Sequence, residues 1–168
     1  MSGHSRWSQI KHQKAITDKK RGQLFSKTSK LISLAAKKGT NPETNLELKN
    51  TIDKARSLNM PNGNIQRAIN KVSDKSTQLE ELSIEALGPG GIALRIKAIT
   101  DSRNRTIAEI KKILSDHGSK MVQPGSIFWM FNQPVTIEDS NTQAQIDNLF
   151  EALDNHDDVE DVITNLTS

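Results

Sequence analysis

Cysteine and tyrosine are absent from the 168 residues, and four Phe and two Trp make up the whole aromatic complement. Without cysteine the chain has no disulfide, no thiolate nucleophile and no Cys-ligated zinc or iron–sulfur site, so packing alone must stabilise it. No apolar run approaches the roughly 18 residues that span a bilayer, and no apolar segment near the start reads as a secretion signal. The expected location is therefore cytoplasmic, or the mitochondrial matrix for a eukaryotic source. Histidine is scarce: His4, His12, His117 and His156 lie far apart, none in an HExxH spacing, which argues against a metal site. No GxSxG elbow frames a nucleophile. Gly88-Pro89-Gly90-Gly91 lacks the Lys-Ser/Thr that completes a phosphate-binding loop and reads as a hairpin turn. The acidic cluster Asp157, Asp158, Glu160 and Asp161 departs from the EF-hand ligand pattern and reads as a solvated surface. These absences predict a protein that is not an enzyme, carries no cofactor and has no small-molecule substrate or membrane partner.

What the chain does have is charge, unevenly placed. Residues 1–75 hold 16 Lys/Arg against 5 Asp/Glu, and residues 76–168 hold 7 against 15, so a net charge of +3 conceals halves of +11 and −8. From Pro134 to Ser168 there are 9 acidic residues and no Lys or Arg. Such a chain is an electrical dipole that orients on approach to a polyanion. With 34% hydrophobic and 26% charged residues, the composition is that of a globular protein with modest, mainly aliphatic cores.

The pattern of apolar residues predicts an α+β fold: a basic amino-terminal arm, a three-helix bundle, and a small two-layer α/β domain with element order ββαββαβ. The arm, residues 1–16, has no sustained apolar stripe. The bundle, residues 17–75, starts near Thr17 and Asp18 and carries Leu24, Phe25, Thr28, Leu31, Ile32 and Ala35 on one face. A second helix is expected after Asn41-Pro42 with Leu48, Ile52 and Ala55, and a third opens at Pro61 with Ile65, Ala68, Ile69 and Val72. A polar linker covers residues 76–82. In the α+β domain, residues 83–168, Ser83–Leu87 and Ile92–Ile99 form a hairpin around the glycine turn. A helix capped by Asp101 or Ser102 follows, with Ile107, Ile110, Ile113 and Leu114, and ends at Gly118. Ser126–Phe131 and Pro134–Glu138 read as strands, then comes a helix with Ala144, Ile146, Leu149, Phe150 and Leu153, and Val159–Leu166 is the last strand.

The amino-terminal third carries the strongest chemical signal. Arg6, Lys11, Lys14, Lys19, Lys20, Arg21, Lys27 and Lys30 face a single local acid, Asp18. Cations at this density gain affinity for a phosphate backbone by releasing condensed counterions. Trp7 and His12 sit in this polar, basic setting, where they either stack on an unpaired base or, for Trp7, pack back onto the bundle. Arg103 and Arg105 stand at a predicted helix start, where backbone N–H groups also favour anions. A phosphate contact and a salt bridge to Asp101 are equal alternatives there. The candidate nucleic-acid-binding set is thus Arg6, Trp7, Lys11, His12, Lys14, Lys19, Lys20, Arg21, Lys27, Arg103 and Arg105.

The segment GHSRWSQIKHQKAITDKKRGQLFSK, from Gly3 to Lys27, resembles the opening of the YebC/PmpR family. Met60-Pro61 through Ile65-Gln66-Arg67-Ala68-Ile69, the Gly88-Pro89-Gly90-Gly91 turn, Thr100–Thr106, and Gly125-Ser126 leading to Trp129-Met130-Phe131 resemble further family motifs. Typical members are longer and carry an extra α/β domain after the Trp-x-Phe stretch, whereas here Phe131 is followed almost directly by Pro134-Val135-Thr136-Ile137. The resemblance therefore implies a short form without that inserted third domain. It also implies two functions: a ribosome- or RNA-binding translation factor that assists synthesis of proline-rich stretches, or a DNA-binding transcriptional regulator. The first is favoured, because a basic arm with one aromatic suits irregular RNA while no groove-entering DNA module is evident. The expected partners are ribosomal RNA in the ribosome, or DNA.

Overall fold

The computed structural model describes residues 17–76 and 78–167, which fall into two compact units, one largely helical and one built on a sheet. The arm, including Arg6, Trp7, Lys11, His12 and Lys14, lies outside the described residues.

The helical unit contains α1 (Asp18–Ala36), α2 (Leu46–Ser57) and α3 (Asn62–Asn70). Each is too short or too polar to persist alone, so their buried faces hold them together. Ile32, Ala35 and Ala36 of α1 pack with Leu48, Ile52 and Ala55 of α2 and Ile65, Ala68 and Ile69 of α3, and Met60 fills the α2–α3 turn. Thr17 caps α1, its hydroxyl accepting from Lys20 N–H at 3.3 Å. The buried hydroxyl of Ser33 donates to Ala68 O at 2.7 Å, tying α1 to α3. The second helix begins later than Asn41-Pro42 suggests. Asn41 instead folds a turn, its side chain accepting from Glu43 N–H. Asn45 is the cap: its Oδ1 accepts from Leu48 N–H while its Nδ2 donates to Ala35 O and Gly39 O. One buried amide thus closes the end of α1 and opens α2.

The sheet unit is α+β, with β1 (Glu80–Leu87), β2 (Ala93–Thr100), α4 (Arg103–Asp116), β3 (Lys120–Val122), α5 (Ser140–Asp154) and β4 (Val159–Thr164). The strand order is β3-β1-β2-β4, with β3 antiparallel to β1 and β4 antiparallel to β2. β1 begins at Glu80, inside the stretch read as linker. Alternation puts Leu82, Ile84, Ala86, Leu94, Ile96 and Ala98 on one face, where Ile110 and Leu114 of α4 and Ile146, Leu149, Phe150 and Leu153 of α5 cover them. The β1–β2 turn has left-handed backbone at Gly90 (φ 70°) and Gly91 (φ 76°). A Cβ on Gly90 would also lie 2.8 Å from Ile137 Cδ1, so both conformation and space require glycine there.

The element order is ββαβαβ rather than the expected ββαββαβ. Ser126–Phe131 is not a strand: Phe128–Asn132 is a short 3₁₀ turn, entered through Gly125 at φ 84° and closed by i to i+3 bonds such as Met130 N–H to Ile127 O. Its five consecutive apolar residues have no period-2 alternation, and only Ile127 is buried. Pro134–Glu138 contributes a single parallel bridge, Val135 with Leu166, rather than a strand. β3 has three residues and no apolar alternation; it exists because β1 offers Glu85–Leu87 as a pairing edge.

Candidate nucleic-acid interface

On α1 the predicted cations sit differently. Lys19 and Arg21 are exposed and enter no ion pair among the described residues, Lys20 is half-buried, and Lys27 is only 7% exposed. The exposed members are in the first turn, beside Asp18. Further along, Lys38 pairs with Glu47 and Lys37 donates to Leu79 O. The usable cationic surface of α1 is therefore its amino-terminal turn, which continues the basic run of the sequence.

Arg103 and Arg105 are exposed in the first turn of α4, in the sheet unit. Arg105 Nη2 donates to Asp158 Oδ2 at 2.9 Å, and the Thr106 hydroxyl donates to the same oxygen at 2.7 Å. Asp158 is 4% exposed, so it is not part of a solvated acidic surface as its neighbours suggest. It holds α4 against the start of β4. Glu109, His156 and Asp158 bring ligand-type atoms within 4.8 Å of one another, but their hydrogen bonds account for the grouping. His156 Nδ1 accepts from Asp158 N–H at 3.1 Å, which places the ring proton on Nε2, 2.7 Å from Glu109 Oε2. Both ring nitrogens are engaged and the Asp158 carboxylate is balanced by Arg105, so the donor set fits a structural clamp better than a cation site.

The face of the sheet opposite the helices holds residues that the sequence pattern did not single out. Glu85, buried, accepts from Arg95 Nη2 at 3.0 Å and from Gly125 N–H at 2.7 Å. The Arg95 guanidinium lies 4.6 Å from the Phe131 ring centre and 6.0 Å from that of Phe128. Asn165, buried, accepts from Ala93 N–H and donates to Met130 O and Gln133 O. Together these bonds hold the 3₁₀ turn over the sheet and leave Phe128 63% and Trp129 58% exposed. The signal that finds them in sequence is two large rings side by side between Gly125 and Pro134, since neighbours on a strand cannot share one buried face.

Two exposed turns hold a carboxyl below its ordinary value. The Asp139 carboxyl is held below its ordinary value by the hydroxyl and N–H of Thr142 at the start of α5, and Asp74 likewise by Ser76. No helix among the described residues is long and apolar enough to cross a membrane.

Comparison with known proteins places these features in a family. A protein of Desulforamulus reducens named "Probable transcriptional regulatory protein" is 48% identical over 136 residues, covering 79% of this chain and 56% of that protein. One of the same name from Chlorobaculum parvum is 46% identical over 156 residues, covering 91% and 62%. The chain thus spans less than two thirds of the length of these curated relatives. The crystal structure of a conserved hypothetical protein from Aquifex aeolicus superposes with a TM-score of 0.88 at 28% identity, covering 97% of each chain. Residues 5–75 match the family model described as the TACO1/YebC protein N-terminal domain, and residues 79–138 match that of the TACO1/YebC second and third domain. With more than three quarters of its residues inside those two matches, the chain belongs to the TACO1/YebC family.

Proposed function

We propose that this protein is a non-enzymatic regulator of gene expression that binds nucleic acid through its basic amino-terminal half, and that its target is RNA of the ribosome. The observation that carries the reading is the cationic turn Lys19-Lys20-Arg21 at the head of α1, in which Lys19 and Arg21 are exposed, adjoining a segment with a large excess of Lys and Arg. Phosphate contacts from these side chains release counterions and supply sequence-independent affinity. Arg6, Lys11, Lys14 and His12 extend the same surface in sequence, with Trp7 stacking on an unpaired base. Arg103 and Arg105 are further candidate phosphate contacts, and Asp158 already engages Arg105.

A second reading, a DNA-binding transcriptional regulator, is favoured by the names of the curated relatives. Binding of the purified chain to ribosomes and to duplex DNA, measured in parallel across a salt series, separates the two. Ribosome preference that survives physiological salt supports the RNA reading; sequence-dependent, salt-resistant DNA binding supports the other. Alanine at Lys19, Lys20 and Arg21 together is expected to weaken binding and to flatten the log–log salt slope by about 2. An unchanged affinity and slope would refute the phosphate role.

A further inference from the structure

The geometry points to a second nucleic-acid contact, on the face of the sheet opposite the helices, where the exposed rings of Phe128 and Trp129 on the 3₁₀ turn form a stacking platform for unpaired bases. This rests on the reading of the protein as a nucleic-acid binder and names the substrate class of one surface: single-stranded RNA or DNA.

Exposed aromatics are ordinary when they stand singly or on mobile ends. Here two rings are adjacent, and the turn that carries them is fixed from three sides. Gly125 N–H is held by the buried carboxylate of Glu85, Ile127 is buried, and the Asn165 amide grips Met130 O and Gln133 O. Beneath the turn the Arg95 guanidinium stacks on Phe131 and lies near Phe128. The rings are therefore presented to solvent already ordered, so a base that stacks on them loses little to side-chain ordering.

The charge around the platform selects the occupant. Lys97 follows Arg95 by two residues on β2 and so shares its face of the sheet, and Lys120 on β3 lies in register with Leu87, two residues beyond Glu85 on that face. Both lysines are exposed and neither enters an ion pair among the described residues. Asp161 is in register with Lys97 across β2 and β4, and its carboxylate accepts from Val162 N–H. Glu85 is neutralised by Arg95. An apolar protein partner has no use for two exposed ammonium groups on the sheet face that carries the ring pair. A single strand uses both: bases stack on the rings while phosphates meet the lysines, and a duplex, whose bases are already stacked, has nothing to offer the rings.

The test uses the whole chain with a single-stranded adenine oligonucleotide and a duplex of the same length as probes. F128A/W129A is expected to weaken single-strand binding by about 10-fold or more and to leave duplex binding unchanged. Trp129→Leu, which keeps apolar bulk but removes one ring, should lose part of the same affinity, again on single strands only, and thermal melting checks that either variant remains folded. Fluorine NMR of fluorotryptophan-labelled protein, with the resonance assigned through W129F, should show the Trp129 signal moving with the single strand only. If single strands bind, K19A/K20A/R21A weakens them, and the aromatic variants and the Trp129 signal are indifferent, the platform is overturned while the general function stands. If the wild-type chain binds neither probe, the platform is overturned, while binding to ribosomes still decides the general function. If the aromatic variants change only the sedimentation behaviour of the protein, the pair is a self-association surface and the proposal is wrong.

Discussion

Asp158 shows how far a side chain's role can depart from its local company. Flanked by Asp157 and close to Glu160 and Asp161, it is the buried member of an otherwise acidic surface, receiving the Thr106 hydroxyl and the Arg105 guanidinium. Asp158→Ala removes the acceptor of both. A hydrogen bond to a charged group contributes up to about 3 kcal/mol, and since the Arg105 side chain is 45% exposed, the expected loss is nearer about 2 kcal/mol. Urea unfolding measures it, and a change within a few tenths of a kcal/mol would show that the clamp is not structural. Gly90→Ala tests a different constraint. A side chain at φ 70° is strained, and its Cβ would meet Ile137 at 2.8 Å and Thr142 at 3.0 Å, so a loss of about 2 kcal/mol is expected by the same method. Gly22→Ala, an exposed site with open space around it, is the control and should be neutral or slightly stabilising.

At the scale of elements, caps decide where helices begin. Asn45→Ala removes the α2 cap together with a buried bond to Ala35 O and a partly buried one to Gly39 O, and should cost about 2 kcal/mol with a loss of helical signal in circular dichroism. Retention of full stability would mean that backbone turns alone join the two helices. The α5 cap is sensitive to pH. Because Thr142 holds the folded carboxyl of Asp139 below its ordinary value, the cap's contribution is complete above the unfolded aspartate value and is lost as pH falls through the lower folded one, below about pH 4. Asp139→Asn keeps an acceptor without the titration and should reduce the acid dependence of α5. An acid limb identical to that of the wild type would dissociate this carboxylate from the transition. The 3₁₀ turn is the element whose character most affects the reading of function. As a strand it would have buried alternate rings, whereas as a turn it buries Ile127 and presents Phe128 and Trp129.

For the whole molecule, the basic and acidic halves imply that long-range attraction speeds encounter with a polyanion. Stopped-flow association with RNA should slow steeply as salt rises while dissociation changes less, and an association rate indifferent to salt would remove the steering argument. Much of this protein is legible from its residues alone. Composition separates the charges, Thr17 and Pro61 mark helix starts, helical spacing selects Ile32, Leu48 and Ile65 for one core, and Gly88–Gly91 marks the hairpin, because each depends on interactions within a few residues. What only the tertiary structure decides are features whose partners are distant in sequence. Among them are a three-residue strand existing by virtue of β1, an aspartate buried against a helix some fifty positions earlier, and a turn held by Glu85 and Asn165 that leaves two aromatic rings facing water. Local propensity is blind to them, since the energy that selects them comes from contacts that exist only once the chain has folded.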